Sequence, residues 1–253
     1  MPIKIVPDLG EELELTADGT GIDRDFLAFV VSEWDAQALE EALLLKDADG
    51  AEVVAVGFAS DPDIDQALYT AIAKGADAAV KISAGEGEPV LTGERAALLA
   101  GYLAAEPADL VLTGVQATDD LDGQLPPMLA AHLGWPHVSV VVGLETSGAA
   151  IKARQEFAGG RVHELEVRLP AVIGVQAARQ APRYAPIARI RQAMQAGGLR
   201  GVTAEPSGGA PAPVVRRMFR PEQTSHAQML TGSADDVAEA IVELLRGRGL
   251  VKG

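Results

Sequence analysis

The fold is decided by the stretch EVVAVGFASDPDIDQALYTAIAKGADAAVKI, which covers residues 52–82. Residues 52–57 form an apolar run of the length of a buried strand. The next segment, residues 64–74, carries apolar side chains at helical spacing and is followed by a glycine stop signal. Residues 78–82 are again apolar. The stretch therefore predicts a strand, a helix and a second strand.

The same alternation extends in both directions along the chain. A helical stripe covers residues 36–46, another covers residues 96–103, and an apolar run covers residues 108–113. Alternation of this length requires crossover connections between strands. We therefore expect a Rossmann-like α/β fold, whose mostly parallel sheet has helices on both faces.

The pattern changes after residue 138. Two segments flank Gly159-Gly160, and in the second of them Leu165, Val167 and Leu169 alternate with charged side chains. This alternation predicts a β-hairpin with one face in water. Residues 171–175 predict one more strand.

The C-terminal fifth of the chain has a different composition. Residues 197–213 are rich in glycine and proline, which predicts a linker. Ser233 and Asp236 then form a variant of the capping box, at the start of a helix that ends near Gly247. We expect two regions: an α/β domain over residues 1–196, and a linker with an extended C-terminal arm over residues 197–253.

Bulk composition excludes several classes of function. The net charge of −15 argues against nucleic acid or an anionic membrane as the main partner. No apolar run reaches the roughly 18 to 20 residues of a spanning helix. The absence of cysteine excludes disulfides, thiolate metal sites and a cysteine nucleophile. A cytoplasmic protein without membrane insertion is expected, and its first strand either is short or begins before Met1.

Ligands of an open α/β sheet bind beyond the carboxyl ends of the strands. The richest segment at such a position is the polar loop of residues 114–128, which opens a short helix. Ser32, Trp34 and Asp35 lie at the start of another helix, and Phe58 follows a strand. Each has an ordinary alternative role: Ser32 or Asp35 can cap the helix, Trp34 can fill the core, and the loop can be a plain connection.

Motifs of hydrolytic or metal chemistry are missing from the sequence. The four histidines show no HExxH spacing, no serine lies in a GxSxG elbow, and neither GxGxxG nor a Walker loop occurs. No metal site and no catalytic residue are predicted.

Seven segments, at five places along nearly the whole chain, resemble the β subunit family of electron transfer flavoproteins. They are ALEEALLLK (38–46), TAIAKGAD (70–77), DLVLTGVQATD (109–119) with LAAHLGWP (129–136), LPAVI (169–173) with PRYA (182–185), and MLTGS (229–233).

The resemblance implies a heterodimer with an α subunit that holds the redox FAD, and a dehydrogenase as electron donor. It also implies an adenine nucleotide in the β subunit, which is AMP in ordinary members and a second FAD in electron-bifurcating ones. Carried over by position, the cofactor-binding residues would be Pro2, Ser32, Trp34, Asp35, Phe58, Gly114, Gln116, Ala117, Asp119, Asp120, Gly123, Gln124, Leu125, Met128 and Leu129.

The resemblance also implies two protein contacts. Glu156 would face the α subunit, on which the C-terminal arm would pack. The loop near residues 182–194 would dock dehydrogenases through Arg183, Tyr184 and the apolar anchor Ile187.

One departure from the family pattern bears on the nucleotide. Pro126 and Pro127 occupy the loop, and proline has no N–H to offer a phosphate. AMP, FAD or no ligand therefore remain open for the pocket. The leading hypothesis is a non-catalytic electron carrier subunit. The alternative is a stand-alone adenine-nucleotide sensor or hydrolase, and a bifurcating role ranks third because it needs FAD in this pocket.

Overall fold

The computed structural model describes residues 1–10, 12–25, 27–84, 91–120, 123–208, 215–221 and 227–251. The chain forms two compact units, Met1–Arg216 and Arg217–Gly253. The strands are β1 (Ile5–Pro7), β2 (Phe29–Val31), β3 (Val54–Phe58), β4 (Ala78–Ala84), β5 (Leu110–Gly114), β6 (His137–Ser147), β7 (Ala150–Phe157), β8 (Arg161–Arg168), β9 (Ala171–Val175) and β10 (Leu199–Ala204). The helices are α1 (Glu33–Asp49), α2 (Ile64–Lys74), α3 (Thr92–Ala105), α4 (Leu125–Leu133), α5 (Ile187–Ala196) and α6 (Ala234–Gly247).

The stretch that decided the fold forms β3, α2 and β4, as predicted. β3 and β4 are parallel, with Val54 opposite Ala78 and Phe58 opposite Ile82. A Cβ on Gly57 would collide with the Ile64 side chain. The glycine thus lets α2 pack closely on the strand that precedes it.

The strands form two larger sheets and one small pair. β10-β4-β3 is entirely parallel, whereas β5-β9-β6-β7-β8 is parallel up to β6 and antiparallel beyond it. β1 and β2 pair antiparallel. Residues 1–3 run alongside β3, where the Ile3 amide donates to the Val56 carbonyl at 2.7 Å. A cleft of about 450 Å³ lies between β3 and β5.

Helices cover both faces of the sheets, which confirms the predicted fold class. One core cluster joins α1 and α2 to the sheets, and the other joins α3 and α4 to them. Neighbouring residues of β9 illustrate the division, because Ile173 belongs to the first cluster and Val172 to the second. Successive side chains of a strand point to opposite faces, so each apolar run is buried on both sides.

The predicted hairpin is β7–β8, which pairs from Ala150 opposite Arg168 to Phe157 opposite Arg161. Ile151 and Val167 are buried on its inner face, whereas most of β8 is exposed. The prediction of one wet face is confirmed.

The predicted linker over residues 197–213 is wrong in its first part. Leu199–Ala204 form β10, which pairs in parallel with β4. The chain then crosses α3, where the Ser207 amide donates to the Ala97 carbonyl at 2.9 Å, and a Cβ on Gly101 would strike the Glu205 carbonyl. Glycines flank and interrupt this segment, so its sequence does not have the pattern of a strand. The strand is stabilised by its pairing with β4.

The second unit contains α6. Ser233 caps it: the Asp236 amide donates to the Ser233 hydroxyl at 3.3 Å, and the Ser233 amide donates to the Asp236 carboxylate at 2.9 Å. The predicted capping box is therefore confirmed. Ile241 and Val242 of this helix are exposed. Within the parts of the chain that the structure describes, every helix is too short or too polar to cross a membrane.

Candidate functional site

The candidate site lies where β3 and β5 end and α1 begins. Asp35, in the first turn of α1, is buried and joins three segments at this point. Its carboxylate accepts from the Lys4 amide at 2.8 Å and from the Gly114 amide at 2.9 Å. Asp35 thus fastens the N-terminal segment and the end of β5 to α1, instead of capping its own helix.

Burial raises the pKa of Asp35 from 3.8 to about 7, although the two amides and the charge of Lys4 oppose the shift. A carboxyl whose pKa is higher in the folded state binds more protons when folded, so its contribution to stability is lost as pH rises.

We expect the replacement Asp35→Asn to remove this dependence. In the wild type, the Asp35 carboxyl should add to the free energy of unfolding at low pH. This contribution should decrease by an amount on the order of 4 kcal/mol between pH 4 and pH 7. The free energies of unfolding of the variant and the wild type should be measured with urea at pH 5 and pH 8. Relative to the wild type, the variant should be more stable at pH 8 than at pH 5. An equal difference at both pH values would contradict the titration of a buried Asp35.

Gly114 permits the close approach of β5 to α1. A Cβ at this position would lie 2.6 Å from Asp35 Oδ1 and 2.8 Å from Trp34 Cβ. The Trp34 backbone carbonyl carbon would lie at 2.9 Å, and neither this atom nor Trp34 Cβ can move without the backbone of α1.

We therefore expect Gly114→Ala to lower the free energy of unfolding by about 1–3 kcal/mol through overpacking. Gly201→Ala in β10 is the matched control, because nothing lies within 4 Å of its Cβ. Chemical denaturation of both variants is the measurement, and equal stabilities would refute the role of Gly114.

An ion pair ties the N-terminal segment to the loop after β5. Lys4 Nζ lies 2.6 Å from Asp119 Oδ1 and 3.2 Å from Asp120 Oδ2. Asp120 also accepts from the Ala117 amide at 2.9 Å and from the Thr92 hydroxyl at 3.3 Å. The loop is therefore shaped by its own carboxylates.

A second, more buried ion pair lies on the other side of the site. The Arg95 guanidinium binds both carboxylate oxygens of Asp61 and lies 5.0 Å above the centroid of the Phe58 ring. Phe58 is buried beneath it. This pairing joins α3 to the end of β3.

Only some of the predicted cofactor-binding residues line a cavity at the candidate site. A cavity of about 20 Å³ is lined by Pro2, Ile3, Lys4, Asp35, Phe58, Thr92, Arg95, Asp120 and Leu125. Five of the predicted residues are among them: Pro2, Asp35, Phe58, Asp120 and Leu125. The other ten lie outside its lining: Ser32, Trp34, Gly114, Gln116, Ala117, Asp119, Gly123, Gln124, Met128 and Leu129. Leu129 is fully buried in the core, and residues 121 and 122 of the loop lie outside the described residues.

Two buried hydroxyls have no hydrogen-bond partner among the described atoms. They belong to Ser32, at the N-cap of α1, and to Thr118, in the loop after β5. Neither residue lines the 20 Å³ cavity.

A separate cluster holds the loop before α5 against α1. The fully buried Glu41 accepts from the Leu144 amide at 2.7 Å, from the Arg179 amide at 3.0 Å and from Arg179 Nε at 2.8 Å. Glu40 accepts from the Arg183 amide at 2.8 Å and pairs with the Arg183 guanidinium at 2.9 Å. Two carboxylates of one helix turn therefore fix both ends of residues 179–183.

The predicted protein-contact residues differ in their surroundings. Arg183 is held by Glu40 and by Asp47 at 2.8 Å, so its guanidinium is used within the chain. Tyr184 and Ile187, in contrast, are 79% and 62% exposed. Glu156 is exposed on β7 beside Phe157.

The sequence patterns missed the charged residues that build these clusters. Lys4, Asp61 and Arg95 at the site, and Glu41 and Arg179 at the loop, have partners 31 to 138 residues away in the chain. The one local signal was the position of Asp61, just beyond the carboxyl end of a predicted strand.

The fold is that of an α/β protein, and its candidate site lies near the carboxyl ends of β3 and β5, where ligands of open parallel sheets bind. Residues 22–207 match the electron transfer flavoprotein domain. The electron transfer flavoprotein subunit beta of Methylophilus methylotrophus is 33% identical over 96% of each chain. Proteins of the same name from Bradyrhizobium diazoefficiens and Bos taurus are each 30% identical, over 76% of this chain and 76% and 75% of their own. The chain belongs to the electron transfer flavoprotein family.

Proposed function

We propose that this chain is the β subunit of a heterodimeric electron transfer flavoprotein. It accepts electrons from a dehydrogenase and passes them to a downstream acceptor, with the FAD held mainly by the α subunit. The observation that carries the proposal is the match over 96% of both chains to a protein named as such a subunit. Its role is that of a carrier without catalytic residues of its own, and a cytoplasmic location accords with a chain that contains no cysteine.

The exposed apolar side chains support a role in protein contact. Tyr184 directly follows the loop that Glu40 and Glu41 hold in place, and Ile187 is the first residue of α5. A segment already held in place loses little entropy when it binds. Ile241 and Val242 expose an apolar surface on α6. Such groups are suited to cover by another protein chain.

Co-expression with the α-type subunit of the same organism tests the proposal. The purified complex should be yellow and contain FAD, whereas this chain expressed alone should contain little flavin. Calorimetry of the isolated chain with ATP is the counter-test. Tight ATP binding or ATP hydrolysis would instead favour the stand-alone nucleotide sensor or hydrolase.

We expect Ile187→Ala to weaken docking of the donor dehydrogenase. Loss of an apolar anchor should raise the KM for the complex about tenfold, which corresponds to about 1.4 kcal/mol, and leave kcat unchanged. Leu9→Ala is the matched control, because Leu9 is 61% exposed on the same unit. Equal KM values for the two variants would show that Ile187 is not an anchor. Flavin reduction at increasing concentrations of the complex is the measurement.

A further inference from the structure

The residues present at the candidate site do not fit an adenine nucleotide. Ligand pockets of small molecules have volumes of about 300–1,000 Å³, whereas the cavity here is about 20 Å³. A water molecule needs a cavity of about 10–15 Å³. The space is therefore sufficient for about one water molecule and not for a purine ring with its ribose.

The charges around the cavity are also unsuited to a phosphate. Asp35 and Asp120 line it, and Asp119 lies on the far side of Lys4. Among the described residues of the lining, the one lysine, Lys4, pairs with both Asp119 and Asp120, and the one arginine, Arg95, pairs with Asp61. Both described cations of the lining thus already have carboxylate partners within the chain, and an incoming phosphate would have to compete with those carboxylates for them.

The nearby start of α4 provides few donors. The helix begins at Leu125, and its second and third residues are Pro126 and Pro127. A helix N-terminus binds anions through the free N–H groups of its first turn. Among these three residues only Leu125 has an N–H, so the usual anion site at a helix start is largely removed.

We propose that the ion pairs of Lys4 with Asp119 and Asp120 replace a bound nucleotide, and that this subunit carries none. In the place of a ligand, Lys4 joins the N-terminal segment to the loop after β5. Arg95 and Asp61 join α3 to the end of β3 in the same way. The site is thereby closed from within by side chains of four separate segments.

The test uses the complex of this chain with its α subunit. Nucleotides are released from it by acid and separated by chromatography, and AMP is then added to the intact complex while its Tm is recorded. We expect FAD in the released material, AMP far below the amount of the protein, and no change in Tm at millimolar AMP. A stoichiometric amount of AMP, or a rise in Tm with AMP concentration, would overturn the proposal, because a ligand that binds only the native state stabilises it.

The variant Lys4→Ala separates a structural lysine from a phosphate ligand. If Lys4 replaces the nucleotide, its removal lowers the Tm of the complex without added AMP by several degrees. Lys81→Ala, which breaks the more exposed pair with Asp65, should change the Tm little. An unchanged Tm for Lys4→Ala together with weakened AMP binding would identify Lys4 as a ligand residue and refute the proposal.

The proposal of a closed site rests on the proposed function only because the test uses the α subunit as the partner of this chain. A chain that forms no flavin-containing complex would count against the proposed function. A flavin-containing complex that also holds stoichiometric AMP would count against the closed site alone.

Discussion

Replacement of Glu41 with alanine is expected to lower the free energy of unfolding by about 3–5 kcal/mol. The carboxylate is fully buried and accepts from two backbone amides, those of Leu144 and Arg179, and from the Arg179 side chain. Its removal leaves two buried N–H groups without acceptors, at a cost of about 1–3 kcal/mol each. It also leaves a cavity between α1 and β6. Urea unfolding of the isolated chain measures the loss.

Two further variants test whether the lost carboxylate causes the loss of stability in Glu41→Ala. Glu41→Gln keeps the shape but replaces an acceptor with a donor that faces other donors, so it should cost less than alanine and more than nothing. Asp49→Ala, at the exposed end of α1, should change stability by less than about 0.5 kcal/mol. If Glu41→Ala were as mild as Asp49→Ala, the loop before α5 would not depend on this carboxylate.

The second large effect is expected at the buried pair of Arg95 and Asp61. Asp61→Ala leaves the guanidinium in the protein interior without this carboxylate, and such a change costs about 3–5 kcal/mol. Arg95 is only 7% exposed, so water cannot replace the lost partner fully. The loss should appear as a lower urea midpoint with an unchanged slope.

A double variant distinguishes a charge effect from a packing effect. Asp61→Leu combined with Arg95→Met removes both charges and keeps much of the volume, so it should be more stable than Asp61→Ala. A double variant less stable than the single one would mean that packing over Phe58, rather than the charge pair, holds α3 to β3.

Local patterns were sufficient for most of the fold. The helical spacing of Ile64, Leu68 and Ile72 predicted α2 with the bounds that it has, and the Gly159-Gly160 pair located the hairpin. These elements were predictable because the burial of a face imposes its period on the sequence. β10 was not predictable, because its stability comes from pairing with β4, a partner more than a hundred residues earlier.

The sequence predicted where the candidate site lies, but not which charged residues build it. Asp35 was predicted from its place at the start of a helix and Phe58 from its place at the end of a parallel strand, and both line the 20 Å³ cavity. Lys4 and Arg95 were not predicted, since a charged residue in a polar segment gives no sign of its distant partner. The proposed closure of the site depends on the ion pairs of Lys4 and Arg95, so it could not be predicted without the side-chain contacts.

The most direct measurement is the molar mass of the chain after mixing with its α-type subunit, determined by light scattering during size-exclusion chromatography. One flavin-containing species with the summed mass of one α chain and one 26.3 kDa chain is the predicted result. Two separate peaks, with this chain at its own mass and without flavin, would contradict its assignment as half of a two-chain electron carrier.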